Sequence, residues 1–163
     1  MERIAICQDQ TKTNRWLAFY GAKREGYVDE SLDNGKTWIS IYHNRTIERA
    51  DKHHTEIALV PGVSVAFVLG TYRAYISPDS GKTFTVSTMP NKGHKQFAHD
   101  DIRGISTTED GSIFLATDGG VFMSSDTGST WQDKSGKGLV AHQSYGLHLL
   151  PDDKILIGSQ DLG

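Results

Sequence analysis

The sequence predicts an all-β fold, a β-propeller of four-stranded antiparallel blades with about 3.5 blades present. Three observations predict it. An eight-residue pattern, S-x-D-x-G-x-T-(W/F), occurs at residues 31–38, 77–84 and 124–131, its serines 46 and 47 residues apart. A fixed period of that size marks stacked supersecondary units. Short apolar runs recur at matching places in each period. Glycine is plentiful (17) and proline scarce (4), which suits many tight turns between short strands.

Each octapeptide reads as a turn between two strands. Its Asp and Ser side chains bond the turn's own backbone. Its Gly supplies a positive φ. The Thr and aromatic residue that follow favour re-entry into a strand, and the ring is large enough to bury against a neighbouring unit.

The strands follow from alignment on these turns. Blade 1, about 1–46, uses Arg3 to Cys7, Trp16 to Tyr20, Tyr27-Val28 and Trp38 to Tyr42, with a second connection through Lys23-Arg24-Glu25 about three residues longer than in the other blades. Blade 2, about 47–92, uses Glu56 to Val60, a Pro61-Gly62 turn, Val65 to Leu69, Ala74 to Ile76 and Phe84 to Ser87. The unbroken apolar run at Val65 to Leu69 predicts a strand covered on both faces. Blade 3, about 93–140, uses Ile102 to Ile105, a Glu109-Asp110-Gly111 turn, Ile113 to Ala116, Val121 to Met123 and Trp131-Gln132. A half blade, 141–163, holds Tyr145 to Leu149, a Pro151 to Asp153 turn and Lys154 to Ile157. Propellers close with roughly 4 to 8 blades. An open arc leaves apolar blade faces uncovered. The chain is therefore expected to be a segment of a longer protein that supplies the remaining blades, the alternative being that a second copy of the chain closes the ring.

The octapeptide resembles the Asp-box, or BNR repeat, of β-propellers of the sialidase, xyloglucanase and sortilin type. The resemblance implies a hairpin between the third and fourth strands, at the outer rim. It implies a structural role for Ser31, Asp33, Gly35 and Trp38, for Ser77, Asp79, Gly81 and Phe84, and for Ser124, Asp126, Gly128 and Trp131. A second likeness covers about the last 65 residues. His99-Asp100-Asp101-Ile102-Arg103, Asp118-Gly119-Gly120-Val121, Gln143-Ser144-Tyr145 and Gly158-Ser159-Gln160-Asp161-Leu162-Gly163 resemble, in order and spacing, bacterial BNR-repeat glycosyl hydrolases and sortilin-like propellers. Leu162 departs from that pattern, which carries Asn there. Relatives of this kind are often exported, so the resemblance leans towards an extracytoplasmic home.

Composition excludes several classes. With a formal charge of −3 and no basic run, nothing supports a nucleic-acid partner. No stretch approaches the ~20 apolar residues of a membrane span. The single Cys7 forms no internal disulfide. Gly35-Lys36-Thr37 and Gly81-Lys82-Thr83 mimic the end of a phosphate-binding loop, but Glu30 and Ile76 stand where its first Gly belongs. No metal site and no cofactor are expected: the seven histidines include no helical pair with a Glu base, and His99 beside Asp101 reads as a hydrogen-bonded pair.

In a propeller, ligands meet the face where first strands begin and second strands end. The segments 99–103, 117–120 and 159–163 map there. They nominate Asp101 and Asp118 as catalytic carboxylates, and His99, Asp100, Arg103, Gln160 and Asp161 as ligand-binding residues; Arg73 joins them as a second arginine expected on that face. Glycoside hydrolysis needs one carboxyl with a raised pKa and a second about 5 Å away in retaining enzymes or 6.5–9.5 Å away in inverting ones. A sialidase would need three arginines gripping a carboxylate and an R-I-P motif, which is absent. Trp38 and Trp131 follow the repeated turns and read as packing residues; Trp16, at a strand start, is a candidate for stacking on a sugar. The expected function is a glycoside-hydrolase-like propeller binding a glycan or polar polymer on its channel face. The rival is a non-catalytic, sortilin-like propeller for peptides or proteins, or an inactive fragment of one.

Overall fold

A computed structural model of the chain describes residues 3–22, 25–44, 47, 55–63, 66–136, 144–150 and 154–159. Among these residues every regular element is a β-strand. The first blade comprises β1 (Ile4–Gln8), β2 (Trp16–Ala22), β3 (Glu25–Ser31) and β4 (Ile39–Asn44). The second comprises β5 (Glu56–Leu59), β6 (Phe67–Gly70), β7 (Ala74–Ser77) and β8 (Thr85–Val86). The third comprises β9 (Ile102–Thr107), β10 (Ile113–Thr117), β11 (Gly120–Ser124) and β12 (Gln132–Asp133). A two-stranded sheet follows, β13 (Ser144–Leu150) with β14 (Lys154–Ser159). Each four-stranded sheet is an antiparallel meander in chain order.

The octapeptide joins the third strand to the fourth in every blade, and its register repeats as well. Ser31 pairs with Trp16, Ser77 with Phe67 and Ser124 with Ile113. Equivalent positions in the three blades can therefore be compared residue by residue.

The apolar run of blade 2 splits by period two. Phe67, Leu69 and Tyr75 join Leu17, Phe19 and Val28 of blade 1 in one core. Ala66, Val68, Ala74 and Ile76 join Ile102, Ile113, Leu115, Phe122 and Trp131 of blade 3 in the other. Blade 2 is thus covered on both faces, which is why β6 and β7 are wholly buried. Each fully buried Leu or Phe side chain contributes about 1.5–3 kcal/mol, so the two inter-blade cores dominate the stability of the arc.

The first strands lie side by side and point the same way. At their starts, Arg3 Nη2 meets Glu56 Oε1 at 2.7 Å. Near their far ends, Thr107 Oγ1 donates to the Leu59 carbonyl at 3.0 Å. This arrangement brings the starts of β5 and β9 to one end of the molecule.

Two details differ from expectation. In blade 1 the additional residues lengthen the strands instead of the loop: Ala22 pairs with Glu25, so the ladder runs up to the connection at 23–24. In blade 2 the fourth strand shrinks from the expected Phe84 to Ser87 to Thr85–Val86, and in blade 3 it shifts by one residue to Gln132–Asp133, because Phe84 and Trp131 turn in to the core instead of continuing the ladder. Val65 and the turn at 151–153 lie outside the described residues.

Candidate functional site

The segment entering β9 is fastened to the β6–β7 connection of the neighbouring blade. Asp101 N–H donates to Tyr72 O at 2.8 Å and Ile102 N–H to Thr71 O at 2.9 Å. Asp101 takes a φ of 63°, a left-handed conformation that is uncommon outside Gly, Asn and Asp. That kink turns the chain into β9 and sets residues 99–101 beside Arg73.

Six of the nominated residues, Arg73, His99, Asp100, Asp101, Arg103 and Asp118, converge at this end. Arg103, on β9, grips Asp118, in the β10–β11 connection, with a two-pronged fork: Nε to Oδ1 at 2.7 Å and Nη2 to Oδ2 at 2.9 Å. A register shift between Ala116 and Thr117 sits beside this pair. His99 lies directly on Gly119; a Cβ there would be 2.3 Å from the imidazole Cγ. Its Nδ1 is 2.9 Å from the Asp100 carbonyl. Arg73 Nε and Asp100 Oδ1 face each other at 3.9 Å, beyond hydrogen-bond reach, and both atoms are buried with no hydrogen-bond partner. Buried polar atoms are normally satisfied, so this ion pair is left incomplete. Asp101 stands in the same segment. Gln143, Gln160 and Asp161 lie outside the described residues.

The twelve octapeptide residues are elsewhere, in three matching turns. In each, the Ser hydroxyl donates to Asp Oδ1 (2.8, 3.0 and 2.8 Å) and accepts from the Gly N–H (2.9, 2.7 and 2.8 Å). The Thr N–H and hydroxyl then occupy both Asp oxygens, at 2.6–2.9 Å. Bonds from the Thr37 hydroxyl and N–H hold Asp33 down to about 2. The Thr83 N–H and hydroxyl lower Asp79 likewise. Around Asp126 burial acts against the charge, and the bonds from Thr130 and Ser124 outweigh it. These carboxylates are consumed by their own turns. Trp16, the candidate sugar stacker, lies partly buried on the blade 1 sheet, its Nε1 without a hydrogen-bond partner.

Sequence reading passed over two features. Glu56 sits at the start of β5, at the channel end that carries the cluster. Burial pushes its pKa up, against the opposing pull of Arg3. Nothing in the local sequence marks it, because its burial comes from packing between blades. At the opposite end of the first strands a cavity of about 250 Å³ is lined by Cys7 to Thr11, Ile57 to Gly62 and Thr107. Beside it Arg15 bridges Asp9 (3.2 Å) and Glu30 (2.7 Å) in the blade interior. The Asp9-x-Thr11 turn, in which Thr11 bonds Asp9 Oδ1, was the available signal. Cys7 lines that cavity, but burial drives its thiol up to about 12, so it carries no reactive thiolate.

The repeated meander, the doubly covered middle blade and the aligned first strands have counterparts among solved structures. The fold is that of a β-propeller. The chain superposes on a GH74 enzyme from Niastella koreensis with a TM-score of 0.61 at 16% identity, over 97% of this chain and 26% of that one. The GH74 xyloglucanase from Xanthomonas campestris gives 0.61 at 14% identity, over 88% and 24%. YCF48 bound to D1 peptide gives 0.54 at 15% identity, over 96% and 47%. The chain thus spans about a quarter of the GH74 chains and about half of the YCF48 chain. No protein-family model matches the sequence, and no curated protein matches it.

Proposed function

We propose that this chain is the ligand-holding part of an Asp-box propeller that binds a polar, charged polymer on its channel face without cleaving it, an extended peptide being the best fit. The observation that carries this reading is the Arg103–Asp118 fork. A glycosidase acid must keep a proton in apolar surroundings, and its partner must be free to attack or to activate water. Asp118 instead has both oxygens engaged by a guanidinium. A surface ion pair of this kind exchanges readily for a ligand's own charges, because in water it contributes only about 0–1 kcal/mol. Arg73, His99, Asp100 and Arg103 then offer donors and acceptors of both signs within one patch. The propeller YCF48, whose structure holds D1 peptide, supports a peptide on this architecture.

Titration calorimetry with short acidic, basic and neutral peptides tests the reading. Binding of a charged peptide, abolished by Arg103→Ala and by Arg73→Ala with the melting temperature held, is the expected result. Equal, weak heats for every peptide overturn it.

A second reading has its own observation. Glu56 sits at the channel end with its Oε1 paired to Arg3 at 2.7 Å while burial pushes its pKa up; unlike Asp118 it is not gripped through both oxygens, and it is a candidate proton donor, with Asp101 the candidate second carboxylate, for glycan hydrolysis. The likeness to GH74 chains supports it at the level of architecture. Release of reducing ends from xyloglucan, lost in both Glu56→Gln and Asp101→Asn, would favour this enzyme; no release from the unsubstituted protein removes it.

A further inference from the structure

The chain crosses from β8 of blade 2 to β9 of blade 3 through residues 87–101, and the first part of that crossing is a closed loop. Met89 N–H donates to Gln96 O at 2.8 Å, His94 N–H to Asn91 O at 3.1 Å and Phe97 N–H to His94 O at 2.8 Å. Phe97 sets its ring edge-on against Phe122, with 5.5 Å between centroids, and Trp131 N–H donates to Lys95 O at 2.8 Å. The loop is thus fastened to blade 3, while its tip, 91–95, faces solvent with Lys92, His94 and Lys95.

The end of β12 lies beside that tip. Hydrogen bonds from Ser135 lower the Asp133 pKa, and the nearby Lys92 ammonium lowers it further. Lys134 follows, exposed, with its N–H on Val121 O at 2.8 Å and its Nζ on Gln132 Oε1 at 2.9 Å. Lys92, Lys95 and Lys134 therefore stand around a single carboxylate, in a chain whose formal charge is −3. Among the described residues, no carboxylate comes within ion-pair distance of Lys92 or Lys95.

An exposed lysine is ordinarily just solvated. These differ in two ways. Their backbone is hydrogen-bonded and packed, so the charges are presented from a fixed platform. The same crossing then runs into the cluster at the channel end. Lys95 and His99 are four residues apart, at most about 14 Å along the chain. One extended peptide of about four or five residues reaches from one to the other. Laid along the crossing, it meets cations at the outer end and both signs, from Arg73, Asp100 and Arg103, at the inner end.

We infer that this rim of blade 3 selects the ligand: Lys92, Lys95 and Lys134 take the acidic end of a peptide whose other end lies in the channel-face cluster. The inference rests on the peptide reading of that cluster. Exposed ion pairs are individually weak. Several cations of one sign act together by drawing in an anionic partner and rejecting a cationic one, in a manner that salt screens.

Fluorescence anisotropy on the 163-residue chain tests the inference with two labelled peptides that share a neutral core. One ends in a run of glutamates, the other in an equal run of glutamines. The glutamate peptide should bind about tenfold more tightly, and the advantage should shrink as salt rises. Lys92→Gln with Lys95→Gln and Lys134→Gln should remove the advantage and leave the affinity for the glutamine peptide as it was. All three side chains are exposed, so the fold should hold. Equal affinity for the two peptides overturns the inference, and so does an advantage that the triple variant keeps. If both peptides bind equally and Arg103→Ala abolishes that binding, the channel reading stands and this one falls. If neither binds, both fall. Tetragalacturonate, with its carboxylates on a sugar chain, serves as competitor: half-displacement of the glutamate peptide by an equimolar amount would assign the rim to acidic glycans instead.

Discussion

The indole of Trp131 crosses from blade 3 to blade 2, donating its N–H to Ser87 O and Oγ, each at 3.1 Å. Ser87 in turn donates its hydroxyl to the Gly128 carbonyl at 2.7 Å, back in the turn that carries Trp131. The two residues form a closed bridge in which a repeated turn is locked to its predecessor.

That bridge predicts the effect of Trp131→Phe. The substitution keeps much of the buried ring and removes the donor, leaving the Ser87 carbonyl without this bond. The carbonyl keeps only the longer bond from Gln96 Nε2, at 3.4 Å; an under-satisfied buried group costs about 1–3 kcal/mol, with a further cavity penalty from the smaller ring. Urea unfolding should show a loss of at least about 1 kcal/mol with an unchanged slope. A loss within about 0.5 kcal/mol, the range of ordinary surface changes, would mean the bridge contributes little.

The turn glycines separate backbone strain from crowding. Gly35 and Gly128 share a φ of +80°. An alanine Cβ at 35 would meet only Trp38, at 3.8 Å, whereas one at 128 would lie 2.5 Å from Ser87 Oγ and 2.8 Å from Ile76 Cγ1. Gly35→Ala should therefore cost about 1–2 kcal/mol for its left-handed backbone alone. Gly128→Ala should cost clearly more, since the preceding blade must also move. Equal losses in paired thermal melts would show that the inter-blade approach is loose.

Much of this architecture was legible because the repeat is local. Ser, Asp, Gly and Thr at fixed offsets make their bonds within eight residues, so the pattern alone specifies the turn. The apolar run around Phe67 to Leu69 likewise announced a doubly covered strand. The site was legible only in part. Arg103 and Asp118 could be placed on one face, but their fork depends on the register of β9 against β10 and on the shift after Ala116. The burial of Glu56 and the Asp9–Arg15–Glu30 network were hidden for the same reason, since each arises from strands meeting across long stretches of chain.

The acid limb of stability should carry the mark of Asp33. Its folded pKa of about 2 lies below the ordinary 3.8. A group depressed in the folded state stabilises the fold above its unfolded pKa and loses that contribution as pH falls through the folded value. Stability should hold above about pH 4 and decline towards pH 2, with Asp79 and Asp126 adding in the same direction. Asp33→Asn should be less stable at pH 5 and show a shallower decline between those limits. Parallel pH profiles for the variant and the unsubstituted protein would show that the Asp33 bonds do not drive the acid limb.

The last prediction concerns Arg15. Its side chain is only 6% exposed, and that of Asp9 only 5%. Asp9 is well supplied: Thr11 gives its N–H and hydroxyl, Lys12 its N–H, and Arg15 completes the shell on the other oxygen. Glu30 depends more heavily on Arg15, which reaches it at 2.7 Å. Breaking a buried ion pair by removing one partner strands the other charge and costs about 3–5 kcal/mol. Arg15→Met keeps most of the aliphatic stem, strands Glu30 and takes the partner of Asp9 Oδ2, so it should destabilise strongly at neutral pH. Arg15→Met with Glu30→Gln should recover part of the loss, because one uncompensated charge is gone. No recovery in the double variant would assign the cost to lost packing of the arginine stem, and the network would carry no net electrostatic role.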